Sequence, residues 1–133
     1  MSISTPYTFG TRLPVPIDEA RPLVEAALKA EGFGVLTEID VAATLKAKLD
    51  IDRPPYLILG ACNPPLANRA LEADPSVGAL LPCNVVLRAD GDGTIVEAMD
   101  PTAALSLAAS PGVVEVGNEA RERLIRMVEA LGR

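Results

Sequence analysis

Apolar residues recur along this chain with two periods, and the switches between them mark its elements. Residues 7–14 (YTFGTRLP) read as a first strand, ended by Pro14 and Pro16. Ile17, Ala20, Leu23, Val24, Ala27 and Leu28 then follow at helical spacing, with Gly32 as the stop. Pro22 belongs in or near the first turn of that helix, because an interior proline costs about 3 kcal/mol. Residues 33–38 (FGVLTE) read as a strand. Asp40 is a fair N-cap for a short helix carrying Val41, Leu45 and Leu49 on one side. After Pro54 and Pro55, residues 56–61 (YLILGA) form a continuous apolar run of strand length, the pattern of a strand covered on both faces.

The second half repeats one punctuation mark. Asn63-Pro64, Asp100-Pro101 and Ser110-Pro111 each pair a favoured capping residue with a proline suited to the first helical position. The first opens a helix through Leu66, Ala67, Ala70 and Leu71 that stops near Asp74-Pro75. The second opens a short Ala/Leu helix. The third opens a long helix whose buried stripe is Val113, Val116, Ala120, Leu124, Met127, Val128 and Leu131. Between the first two, residues 80–88 read as a strand, Asp90-Gly91-Asp92-Gly93 as a hairpin turn, and Thr94 to Met99 as the return strand. The hairpin requires an antiparallel pair. A sheet covered by two long helices is the simplest way to bury these faces, so the expected class is α+β.

With 133 residues the chain suits one domain over 1–133, with 1–6 as a loose N-terminal tail. Four aromatic residues, Tyr7, Phe9, Phe33 and Tyr56, leave the core to Leu, Val, Ile and Ala. A net charge of −6 with no basic patch argues against a nucleic-acid partner, which needs cations for phosphates and aromatic platforms for bases. Neither a signal segment nor an apolar run of membrane-spanning length is present, so the expected location is the cytoplasm, with no membrane partner. In that compartment two cysteines are expected as reduced thiols. The chain has no histidine, which removes Ser-His-Asp and Cys-His nucleophile pairs and His metal ligands. Neither glycine-rich phosphate-loop fingerprint occurs. No cofactor is indicated.

Three segments, GFGVLTEIDV (32–41), YLILGACNPPLANRAL (56–71) and LLPCNVV (80–86), with Asp-Pro at 100–101, resemble the DUF302 family from about Thr8 to Leu131. The resemblance implies a TBP-like fold, a curved, mostly antiparallel sheet with helices on one side, and a homodimer. It implies no activity.

The site candidates centre on Cys62 and Cys83. Cys62 immediately precedes the capping Asn63; beside free N–H groups and the positive end of a helix, its thiol would ionise readily. The plainer alternative is a small buried residue ending a central strand. Cys83-Asn84 echoes Cys62-Asn63. If the strands are neighbours the sulfurs could converge and form a reversible disulfide, although period-2 alternation leaves open whether they share a face. The amides of Asn63 and Asn84 could orient a ligand or an oxyanion, or serve as a helix cap and a buried hydrogen-bonding group. Glu38 and Asp40 could act as paired carboxylates, or as a strand end followed by a cap. Lys46, Lys48, Arg53 and Arg69 could form an anion site or stand scattered on the surface. Asp90 and Asp92 lack the further ligands a calcium loop needs. Two functions fit: a non-catalytic homodimeric domain that binds a small molecule or a protein, or a thiol-dependent redox or sulfur/acyl-carrier protein using Cys62 with Cys83.

Overall fold

A computed structural model describes residues 2–132. The elements run β1 (Ser2–Ser4), β2 (Thr8–Leu13), α1 (Ile17–Ala30), β3 (Gly34–Asp40), α2 (Val41–Leu49), β4 (Tyr56–Cys62), α3 (Pro64–Ala73), a 3₁₀ segment (Pro75–Leu80), β5 (Cys83–Asp90), β6 (Gly93–Met99), α4 (Pro101–Leu105), a short 3₁₀ turn (Ser106–Ala108) and α5 (Pro111–Leu131). The strands form one open six-stranded sheet in the order β1-β2-β6-β5-β4-β3, with every neighbouring pair antiparallel. The fold is α+β.

Alternation sets what each face carries. Leu59 pairs with Val85 and Leu57 with Leu87, while Ala98 and Val96 lie opposite Val85 and Leu87 on β6. These residues form one face, and it is the buried one: Leu59, Val85, Leu87, Val96 and Ala98 all have 0% exposure. α1 brings Ala20, Val24 and Leu28 to this core, and α5 brings Val113, Ala120, Leu124 and Met127. The two long helices pack against each other as well as on the sheet, and α3 and α4 pack against α5. The opposite face carries Ile58 and Val86 beside Ile39, then Arg88 paired with Glu97 (2.9 Å).

Four features depart from expectation. The loose tail is in part a strand: Ser2, Ile3 and Ser4 pair with Thr11, Gly10 and Phe9, so backbone hydrogen bonds order a segment with few apolar side chains. Pro22 lies in the second turn of α1 rather than the first, where it leaves the exposed Asp18 without a backbone partner in the helix. Residues 75–80 form a 3₁₀ segment that Asp74 caps by accepting from the Ser76 N–H (3.0 Å). The strand expected over 80–88 therefore begins later, at Cys83. The hairpin forms as expected, with Asp90 paired to Gly93 and Gly91 at φ 61°, a conformation glycine adopts without steric cost.

Candidate functional site

The end of the sheet where β4 meets α3 holds a cavity of about 310 Å³. Its walls come from six parts of the chain: Leu36 and Thr37 of β3, Ala61 and Cys62 of β4, Ala67, Ala70 and Leu71 of α3, Leu81 to Cys83 before and at the start of β5, Leu105 of α4, and Val116 and Ala120 of α5. Asn63 adds the one amide. The apolar rim is open, with Leu36 67% and Leu71 41% exposed.

Local sequence explains this shape. A β-bulge between Val35 and Thr37 lets Leu36 leave the strand register. Gly60 permits the close approach of its neighbours: a Cβ there would collide with Thr37 Oγ1 and lie 2.9 Å from Pro82 Cγ. Small residues on facing turns of α3 and α5, Ala67, Ala70 and Ala120, leave space where larger side chains would meet.

Asn63 caps α3 as its position suggests, accepting from the Leu66 N–H (3.3 Å) and donating through Nδ2 to Glu31 O (3.4 Å). The environment expected for Cys62 is not there. Pro64 and Pro65 have no N–H, Leu66 N–H is taken by the Asn63 side chain, and Ala67 N–H is bonded to Asn63 O (2.9 Å). The first turn of α3 thus has no free donor for a thiolate, and burial pushes the half-buried Cys62 thiol up rather than down. Cys83 is buried, and burial, followed by the nearby Cys62, pushes its thiol up to about 11.

The cysteines do come together at this cavity, but not as symmetric partners. Cys83 lies opposite Ala61 in the ladder, so Cys62 is offset from it by one residue, and both are free thiols. The echo between the two Cys-Asn pairs ends there. Asn84 pairs with Gly60, alternates away from the core and is exposed, neither in the cavity nor buried as a hydrogen-bonding group. Glu38 is also elsewhere, ion-paired with Arg21 of α1 (2.8 Å), while Asp40 caps α2 through the Ala43 N–H (2.9 Å).

The remaining charged candidates are dispersed. Lys46 pairs with Asp50 and Asp52, and Arg69 with Glu119 (2.6 Å). The place a cation might take between Asp90 and Asp92 is held by Arg12, at 2.8 and 3.3 Å. Among the described residues no three His, Cys, Asp or Glu side chains cluster as metal ligands, and no helix is long and apolar enough to cross a membrane. Sequence reading missed the walls contributed by Leu36, Leu105, Val116 and Ala120. No local sequence signal marks them, since they meet only through the register of the sheet and the packing of the helices.

Comparison with known proteins agrees with this architecture. The fold is similar to that of an uncharacterized conserved DUF302 protein from Bacillus stearothermophilus, known from a crystal structure, with a TM-score of 0.82 and 31% identity over 92% of this chain and 94% of that one. No curated protein matches the chain. The model of DUF302, a domain of unknown function, matches residues 9–131, which include every element from β3 to α5, and the chain belongs to the DUF302 family.

Proposed function

We propose that this protein is a non-catalytic, homodimeric binding domain that takes a small apolar molecule into the cavity between β4, α3 and α5. One observation carries this reading: a cavity of about 310 Å³ is open to the surface and lined mostly by aliphatic side chains. Small-molecule sites run from about 300 Å³ upward and are mostly apolar with a few polar groups. The absence of histidine and the dispersal of the carboxylates leave no acid–base pair beside it. Titration with N-phenyl-1-naphthylamine, a neutral dye that brightens in apolar surroundings, tests it. Saturable one-site binding, lost in Ala67→Phe with the fold retained, supports the reading; no binding by the native protein refutes it. The homodimer follows the family resemblance and has support in the apolar row Ile39, Ile58 and Val86 on the sheet face turned away from the core. Light scattering at micromolar concentration should give twice the 13.9 kDa chain mass; a monomer contradicts this part.

A second reading, thiol-dependent redox or sulfur/acyl-carrier function using Cys62 with Cys83, is favoured by the presence of both cysteines in one cavity. The raised thiols count against it. Reaction with a disulfide reagent separates the two. A fast phase below the free-thiol pKa of about 8.5, lost only in Cys62→Ser, would support thiol chemistry. Reaction only at alkaline pH or after unfolding supports binding.

A further inference from the structure

We infer that the ligand of this cavity is electrically neutral, a compact alkyl or aryl molecule with at most one uncharged polar group, and that the site discriminates against carboxylates and other anions. This rests on the binding reading above and narrows it to a ligand class. The lining contains no Lys, Arg or His. The helix N-terminus facing the cavity is closed, because two consecutive prolines remove its first donors and Asn63 takes the rest. The Asn63 amide is partly committed, its oxygen to the Leu66 N–H and one N–H to Glu31 O, and the Thr37 hydroxyl is the other neutral polar group of the wall.

The cations of α3 and the middle of α5 lie outside the lining and have carboxylate or carbonyl partners. Arg69 pairs with Glu119 at 2.6 Å and Glu115 at 3.6 Å. Arg123 donates through Nη1 to Glu31 O at 3.2 Å and stands 3.8 Å from Glu119; its Nε is buried without a partner, but Arg123 does not line the cavity. The two thiols complete the wall, and burial holds both in the protonated state. They offer weak S–H donors and polarisable sulfur, suited to an uncharged ligand. An anion entering here would lose its water and meet no cation, only neutral donors such as the Thr37 hydroxyl and the thiols, and a buried charge without a paired partner is costly. A neutral ligand loses little and gains the apolar contact.

A matched pair of probes tests this, 1-octanol and octanoate, each displacing N-phenyl-1-naphthylamine from the native protein at pH 7.5. The expected result is displacement by octanol, with octanoate weaker by on the order of a hundredfold or more. Octanoate should tighten as the pH is lowered toward its own carboxyl pKa while octanol stays constant. Equal affinities at pH 7.5 would overturn the inference. So would tight octanoate binding that disappears in Arg123→Gln or Arg69→Gln, since it would reveal an anion site at the rim. Dye binding without octanol displacement also overturns it, while leaving the cavity reading standing. Failure of the dye itself to bind refutes the cavity reading and this inference with it.

Discussion

The two ends of the sheet solve opposite problems. At the β5–β6 hairpin, charge is placed and answered: Arg12 reaches from β2 to Asp90 and Asp92, and also donates to Asp90 O (2.9 Å). That end is closed, and every polar group named there has a partner. At the other end, where β4 passes into α3, the backbone donors are either absent, at Pro64 and Pro65, or taken by Asn63, with no side-chain charge involved. What remains open is apolar volume. The contrast separates two kinds of conspicuous motif. Asp-Gly-Asp-Gly stands out in the sequence and is structural, whereas the cavity is walled mainly by Ala and Leu, residues that carry no chemical signature.

Perturbing each end should therefore have different consequences. The largest stability effect is expected from Gly60→Ala, whose Cβ has no room against Thr37 and Pro82. The cost should be about 1–3 kcal/mol by urea denaturation, and Thr37→Ala in the same chain should recover part of it. Full stability in Gly60→Ala would contradict the packing at the cavity. Asn63→Ala should cost about 1 kcal/mol through loss of the α3 cap, while Glu31 O keeps Arg123 as a donor. It should also weaken dye binding, since the same residue forms part of the wall. Arg12→Gln should shift the urea midpoint less than Asn63→Ala and leave dye binding unchanged, because its partners are solvated. A change in dye affinity there would mean that the two ends are coupled.

The thiols supply a pH test with a definite sign. A thiol whose pKa is raised by folding holds protons that the unfolded chain releases, so its contribution to stability is complete below the free-thiol pKa of about 8.5. It is lost as the pH rises through the folded value, about 11 for Cys83. Stability should thus decline on the alkaline side in the native protein and decline less in Cys83→Ala. An identical alkaline slope in both proteins would contradict the buried, protonated state of Cys83.

Much of the fold was legible because its signals are local. The helical stripe of α5, the 90–93 turn and the caps at Asp40, Asn63 and Asp100 each depend on residues within a few positions of one another. The site was legible only as far as Cys62, Asn63 and Cys83. Asn84 misled because a strand sends adjacent residues to opposite faces, so an echoed dipeptide delivers only one member to a given site. Glu38 misled because its partner Arg21 lies on α1, too distant in sequence for spacing to suggest. The environment of Cys62 could have been anticipated: Pro64-Pro65 is visible in the sequence, and two residues without N–H groups cannot donate to a thiolate. The cavity could not, since its volume depends on register across β3, β4 and β5 and on the packing of α3 against α5.

The claim that this end of the sheet is the binding site is tested most directly by methyl NMR spectra of the native protein during addition of 1-octanol. Saturable shifts confined to methyl groups of the cavity wall, among them Leu36, Ala67, Leu71, Leu105, Val116 and Ala120, are the predicted result. No saturable shifts, or shifts centred on Ile39, Ile58 and Val86 of the opposite sheet face, would contradict it.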